Sequence, residues 1–325
     1  MLISQIFDPN NKIPFENLAL QVFRYQAVKC SVYANYLSEL GIDTKSINHF
    51  DQIPFLPIQF FKSHCIISTN ENIDKVFLSS GTTENIQSRH YVSDLNLYRL
   101  SYSQGFEHFY GNIKDYTILA LLPGYLEREG SSLIFMVDDL IKKSESSDSG
   151  FYLDNLDGLS VKLNQLNERD QKVLLIGVSY ALIDLVTKFK FHLKNTIVME
   201  TGGMKGRRKE MIREELHDLL CKGFGVNKIH SEYGMTELLS QAYSKGNGLF
   251  ETPPWMRIVI RDPEDPLTTL SYLKTGGLNI VDLANINSCS FIATQDLGKT
   301  NADGTFEILG RFDNSDIRGC NLMVI

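Results

Sequence analysis

The sequence predicts an α/β protein built on a largely parallel sheet, followed by a β-rich stretch. Two observations carry this prediction. Between residues 74 and 237, short β-branched or apolar runs alternate with helical patterns, the signature of strands joined by crossover helices. After residue 237 the helical periodicity stops, and short apolar runs follow one another between Gly, Pro and Asp turns. A hydrophobic content of 43% and a charged content of 22% over 325 residues suit a globular chain with a sizeable core. We expect one domain over 1–325, with an α/β body at 1–237 and a β-rich subdomain with a short tail at 238–325.

At the N-terminus, Leu18, Val22, Phe23, Tyr33, Leu37 and Leu40 recur at helical spacing across 15–40, and Gly41 supplies a stop. In the run 53–64, IPFLPIQFFKSH, the two prolines hold Ile53 and Leu56 extended. A run this apolar is expected to pack on the body or to line an apolar pocket, packing being the simpler outcome. Strands are expected at 76–78, 116–122, 173–178, 196–199 and 228–230, and helices at 93–109, 131–143, 180–190 and 207–222. The low-complexity patch 142–150, KKSESSDSG, reads as a surface loop. Beyond residue 237, strands are expected at 238–244, 257–261, 278–283, 290–294 and 305–309, with no helix among them.

A net charge of −7 argues against a nucleic-acid binder. It also means that an anionic ligand must be held by local groups and not drawn in by the overall field. The first residues lack a basic segment followed by a long apolar run, so no secretory signal is expected. No stretch approaches the about 20 apolar residues that span a bilayer. Cys30, Cys65, Cys221, Cys289 and Cys320 are scattered without a CxxC pair, so neither zinc nor a disulfide framework is indicated. A cytoplasmic location follows as the expectation.

The stretch that organises the chain is Ser79-Ser80-Gly81-Thr82-Thr83, directly after the apolar run 76–78. A loop that only turns the chain does not need four hydroxyls, whereas one that wraps a polyphosphate does. Glycine permits close approach, hydroxyls and free N–H groups donate to phosphate oxygens, and a following helix would add its positive end. The position expected for it is the carboxyl end of a strand in the parallel sheet. A solvated Ser/Thr turn remains the competing reading for this stretch alone.

Further along, Glu200-Thr201-Gly202-Gly203 follows a strand, and its paired glycines would let a flat ring lie against the backbone; alone it is a turn. Lys205, Arg207, Arg208 and Lys209 would open the helix 207–222, against its dipole, which suggests an anionic ligand or an acidic partner. A charged solvated face that tolerates a small penalty is the simpler reading of the two. His230-Ser231-Glu232-Tyr233-Gly234-Met235-Thr236-Glu237 joins an aromatic, a glycine, a hydroxyl and two carboxylates after a short strand. A carboxylate beside a phosphate loop makes sense with a cation between them, and Mg²⁺ takes one or two carboxylates plus phosphate oxygens. Asp296, in a turn, could accept both hydroxyls of a ribose. Arg311 and Asp313 follow the last expected strand, a common composition.

In this order the pieces resemble the adenylate-forming superfamily of acyl-CoA synthetases, luciferases and peptide-synthetase adenylation domains, over about residues 76–319. Three stretches further resemble the acyl-protein synthetase (LuxE) family: PFLPIQFFKSH, LLPGYLEREGSSLIFMVDDL at 121–140, and the terminal DIRGCNLMVI. The resemblance implies the large N-terminal domain of an adenylate-forming enzyme, with layered sheets and helices plus a β-rich subdomain and without the small C-terminal domain. It implies that Ser79, Ser80, Gly81, Thr82 and Thr83 hold the phosphates of ATP. Gly202, Gly203 and Tyr233, with Gly234 and Met235, would meet the adenine; Thr236 and Glu237 the phosphate and Mg²⁺, Glu237 as metal ligand; Asp296 and Arg311 the ribose. Asp313 falls at the superfamily's interdomain hinge. Two departures stand out: Glu84-Asn85-Ile86-Gln87 follows Thr83 where the pattern has glycine and lysine, and the chain ends twelve residues after Asp313. Arg89 or the 205–209 cluster would have to supply the missing cation.

The function so implied is activation of a fatty or other carboxylic acid to acyl-AMP, then acyl transfer to a protein thiol for delivery to a partner acyl reductase. Cys320, with Arg318 two residues before it, is the candidate nucleophile under this resemblance, because a nearby cation raises the thiolate fraction; taken alone it reads as a small buried hydrophobe. Three alternatives stay open: transfer to coenzyme A or a carrier protein, a nucleotide-binding module without catalysis, and a serine hydrolase. The last rests on Gly177-Val178-Ser179-Tyr180-Ala181, which resembles a nucleophile elbow with Ser179 at its tip but with alanine in place of the final glycine.

Overall fold

A computed structural model describes residues 2–80, 86–123, 130–202 and 211–312. Helices α1 (Leu2–Phe7), α2 (Phe15–Lys29) and α3 (Ser31–Glu39) open the chain. The single helix expected over 15–40 is thus two, because Cys30 takes an extended backbone (φ −88°, ψ 99°) and breaks the ladder. The break turns α3 so that Tyr33 meets Phe23 edge-on at 6.1 Å. Next come β1 (Leu56–Pro57) and α4 (Phe60–Ser63).

The hydroxyl-rich loop departs from expectation. β2 (Lys75–Leu78) pairs antiparallel with β3 (Arg89–Val92), and the two form a sheet of their own. The chain therefore passes from β2 to β3, and not, as expected, from a strand of the main parallel sheet to a helix. Helix α5 (Leu95–Tyr110) comes after β3, capped by the Asp94 carboxylate, which accepts from the Asn96 and Leu97 amides.

The parallel half follows as β4 (Thr117–Leu121), α6 (Ser132–Lys143), β5 (Gly150–Phe151), α7 (Leu156–Glu168), β6 (Val173–Val178), α8 (Ser179–Lys188), β7 (Thr196–Thr201), α9 (Arg213–Phe224) and β8 (His230–Tyr233). Strands β4 and β6 are buried along their whole length, as in a sheet covered on both faces. The expected elements omit α7, although Leu159, Leu163 and Leu166 recur at helical spacing and are all buried. Helix α9 starts at Arg213, later than expected, and its first turn carries Glu214 and Glu215, which suit the dipole. The cations at 205–209 lie outside the described residues. The 142–150 patch is at the surface, but Ser144 is buried and Ser149 Oγ accepts from the Ile118 amide of β4 at 2.9 Å.

The remaining strands are β9 (Ala242–Ser244), β10 (Phe250–Glu251), β11 (Met256–Arg261), β12 (Gly276–Asp282), β13 (Phe291–Thr300) and β14 (Phe306–Arg311). They join the same sheet, in the order β11-β12-β13-β14-β10-β9-β8-β7-β6-β4-β5. From β5 to β8 neighbours are parallel; from β8 to β11 they are antiparallel. Strand β8 is therefore where the sheet changes character. The strand expected over 238–244 is shortened because the amides of Leu239 and Ser240 bond the Asp282 carboxylate, at 2.9 Å each, and so leave the ladder. The apolar run 53–64 packs on the body: β1 lies parallel to β13, pairing Leu56 with Ile292, and Ile53, Phe55, Leu56 and Phe61 are buried.

Candidate nucleotide site

Ser79 closes the β2–β3 hairpin. Its amide donates to the Ser88 carbonyl at 3.1 Å, its Oγ accepts from the Ser88 amide at 2.9 Å, and its carbonyl accepts from the Gln87 side chain at 2.9 Å. The Ser79 hydroxyl proton is thus left to donate elsewhere, and Ser80 next to it is exposed. Gly81, Thr82 and Thr83 lie outside the described residues.

Alternation along β3 turns His90 and Val92 inward, and Ser88, just before the strand, continues the pattern; all three are buried. His90 Nδ1 lies 2.9 Å from the Thr236 carbonyl oxygen and Nε2 lies 3.0 Å from Ser288 Oγ. A carbonyl can only accept, so Nδ1 carries the proton and Nε2 accepts from Ser288. Burial pushes the His90 pKa down to about 4, which keeps the ring neutral. Two residues back, the Ser88 hydroxyl faces the carboxylate of Glu237. Glu237 is 6% exposed; burial raises its pKa and Ser88 opposes the rise. The Glu237 carbonyl accepts from Asn285 Nδ2 at 2.7 Å. The hydroxyl hairpin and the acidic segment, far apart in the chain, thus meet through β3.

Tyr233, at the end of β8, donates its hydroxyl to Asp296 Oδ2 at 2.7 Å, and Arg311 Nε donates to Asp296 Oδ1 at 2.9 Å. Asp296 and Arg311 face each other across β13 and β14, so both stand on strands and not, as expected, in a turn and beyond the last strand. The Tyr233 ring meets the edges of Phe250 and Phe306, each at 6.1 Å. Burial, with Asp296 beside it, holds the phenol well above its ordinary pKa, so it remains a donor. Gly234 has a steric reason: a Cβ there would come within 2.5 Å of Glu232 Oε1. Met235 packs half-buried on the core.

Gly202, in the left-handed region at φ 66°, accepts at its carbonyl from Ser179 Oγ at 2.7 Å; Gly203 lies outside the described residues. Ser179 does stand at a strand-to-helix junction, between β6 and α8. It is 2% exposed, however, and its hydroxyl donates to Gly202 and faces Glu200 Oε2 at 3.2 Å. A hydrolase nucleophile needs an exposed hydroxyl paired with a base, and no histidine among the described residues bonds this one. On the neighbouring strands, Thr201 donates to the buried Glu232 carboxylate, whose pKa burial pushes up to about 7 with Glu200 adding to the rise.

A family model described as acyl-protein synthetase, LuxE, matches residues 5–325. The chain belongs to the LuxE family of acyl-protein synthetases. A long-chain-fatty-acid–luciferin-component ligase of Photorhabdus luminescens is 35% identical over 77 residues, which are 23% of this chain and 65% of that protein. ATP-bound MatB from Rhodopseudomonas palustris superposes with a TM-score of 0.56 at 18% identity, covering 75% of this chain and 49% of MatB. A 2-hydroxyisobutyryl-CoA ligase, in complex with 2-HIB-AMP and CoA, gives 0.66 at 12% identity, covering 92% and 70%. This LuxE-family chain therefore has the fold of the large N-terminal domain of adenylate-forming enzymes. It spans about two thirds of the Photorhabdus relative and half of MatB.

The sequence reading missed Ser88, His90 and Asn285, which bind or face the acidic segment in this LuxE-family protein, and Ser288, which bonds His90. The faint signal was the alternation of 88, 90 and 92, which marks one face of a strand. Cys320 and Asp313 lie outside the described residues. No helix among the described residues is long and apolar enough to cross a membrane.

Proposed function

We propose that this protein activates a fatty or other carboxylic acid with ATP and passes the acyl group to the thiol of Cys320, in the cytoplasm, for delivery to a partner acyl reductase. The substrate carboxylate attacks the α-phosphorus of ATP, a P–O bond to pyrophosphate breaks, and acyl-AMP forms. The Cys320 thiolate then attacks the acyl carbon and AMP leaves. Activation is required because a carboxylate is a poor electrophile and an anion must approach a triphosphate, so donors and positive charge must already be in place.

The observation that carries the reading is the junction of β3 with the acidic segment: His90 on Thr236, and Ser88 between Ser79 and Glu237. In this reading Ser79, Ser80, Gly81, Thr82 and Thr83 hold the phosphates, and Gly202, Gly203, Tyr233, Gly234 and Met235 border the base. Asp296 has one lone pair on each oxygen engaged by Tyr233 or Arg311, which leaves one on each for the ribose hydroxyls. Thr236 and Glu237 meet the phosphate end.

Magnesium fits Glu237. No group of three or more metal-binding side chains stands among the described residues, but one carboxylate suffices when phosphate oxygens and water complete the set. Burial disfavours the Glu237 anion, and a neighbouring cation reverses that. Bound there, Mg²⁺ would neutralise charge on the phosphates.

ATP–pyrophosphate exchange measured across a panel of carboxylic acids tests the reading. Acid-dependent exchange is expected, strongest with fatty acids, and exchange with no acid in the panel refutes it. The fold likeness to a CoA ligase favours a second reading of the later step, with coenzyme A as acceptor. Hydroxylamine-labile acyl label on the wild type, absent from Cys320→Ser, separates the two.

A further inference from the structure

We infer that His90, held by Ser288, is a positioning residue that sets the distance between the phosphate-binding hairpin and Glu237; this rests on the proposed activation chemistry. Strands β2 and β3 form their own two-stranded sheet, so among the described residues no main-sheet ladder fixes where Ser79, Ser80 and Ser88 stand. A two-stranded ribbon is marginal alone and takes its position from contacts with the body, here the Leu78 amide donating to the Gly130 carbonyl at 2.8 Å together with side-chain contacts. Among the described side chains of the hairpin, His90 reaches the backbone of the acidic segment, at the Thr236 carbonyl.

The next carbonyl, that of Glu237, is held by Asn285. Consecutive carbonyls of one short segment are thus anchored by buried side chains from two distant parts of the chain. Ser288 links the two anchors, because its hydroxyl bonds His90 Nε2 while the Asn285–Ser288 turn carries the second. Phe61 closes the pocket, its ring edge-on to the imidazole at 5.7 Å. The ring has a single arrangement open to it: Nδ1–H toward Thr236 and Nε2 toward Ser288. A displacement of His90 would move Ser88 with it, since Ser88 directly precedes β3 and is buried like His90, and Ser88 faces the Glu237 carboxylate.

The test compares His90→Phe, which keeps the ring and removes the donor, with His90→Asn, whose amide replaces Nδ1–H. Thermal stability is measured alongside. In His90→Phe we expect the KM for ATP, and the Mg²⁺ needed for half-maximal exchange, to rise about tenfold, while the KM for the acid stays within about twofold. His90→Asn should recover both to within about threefold of wild type. The inference is overturned if His90→Phe keeps wild-type ATP and Mg²⁺ dependence, or if His90→Asn falls as far as His90→Phe.

If His90→Phe does not fold, Ser288→Ala carries the test: about a threefold rise in the Mg²⁺ requirement is expected, and no change overturns the role. Calorimetric ATP binding in Mg²⁺ and in EDTA keeps this separate from the proposed activity. His90→Phe should lose about tenfold in Mg²⁺-dependent affinity and little in EDTA, whether or not the wild type exchanges pyrophosphate. Wild-type exchange with no acid defeats the activation reading alone; unaltered Mg²⁺-dependent ATP binding in His90→Phe defeats the positioning role alone.

Discussion

The phenol of Tyr233 donates to the carboxylate of Asp296 at 2.7 Å, across 63 residues of chain. Tyr233 ends the strand where the sheet turns from parallel to antiparallel, and Asp296 lies in the antiparallel half. The bond ties the two halves of the sheet at the point where the nucleotide is proposed to lie. Arg311 takes the other carboxylate oxygen, so the trio holds its shape before any ligand arrives.

Replacing Asp296 with Asn weakens that trio and removes the charged acceptor for ribose. The KM for ATP should rise about tenfold or more, with the KM for the acid little changed, since a hydrogen bond to a charged group contributes about 1.5–3 kcal/mol. Tyr233→Phe should cost about 1–3 kcal/mol of folding stability, read from denaturant unfolding. An equal rise of both KM values in Asp296→Asn would place this residue away from the nucleotide.

Glu237→Gln keeps the shape and removes the anion. Pyrophosphate exchange should fall about 10²-fold or more, and added Mg²⁺ should restore little of it. Calorimetric ATP binding in EDTA should be nearly unchanged. Exchange that survives within a few fold would show that the metal is held elsewhere.

Glu232 makes stability fall with rising pH. Its ordinary pKa is 4.5 and burial pushes it to about 7 in the fold, so between those values the folded state holds more protons than the unfolded one. The contribution is therefore full below pH 4.5 and is lost as pH rises through 7. The span corresponds to about 3 kcal/mol. Glu232→Gln, neutral at every pH, should match the wild type near pH 4.5 and exceed it in melting temperature at pH 8. Asp282, pushed up to about 6 by burial, acts in the same direction between 3.8 and 6 and sets the background slope. Parallel curves for the two proteins would show that Glu232 is already ionised at no cost.

Cys320→Ser should exchange pyrophosphate like the wild type, because the thiol acts only after acyl-AMP has formed. Hydroxylamine-labile incorporation of radioactive fatty acid should disappear. Label retained in the variant would move the acceptor to another group. Buried Cys289 is a poor candidate, since burial holds its thiol well above the ordinary pKa.

The strands of the parallel half were legible because they are buried on both faces: the run 173–178 coincides with β6, residue for residue. The helix expected over 15–40 failed at Cys30, where no proline or glycine announces the break and the extended backbone is imposed by the core that Tyr33 must reach. Strand β3 escaped notice because Arg89-His90-Tyr91-Val92 has no apolar run, its buried face being His90 and Val92.

Local chemistry alone settled which residue types cluster: hydroxyls around Gly81, carboxylates around Tyr233, strands and helices in alternation. Such information lies within a few residues along the chain, and hydrophobic period and turn composition express it directly. Tertiary structure alone decided that β2 pairs with β3 in a separate sheet, that His90 and Asn285 grip successive carbonyls, and that Asp296 stands opposite Arg311 within reach of Tyr233. These pairings join residues tens to hundreds of positions apart. They depend on strand order and register, which follow from burying the whole core at once and not from any single stretch of chain.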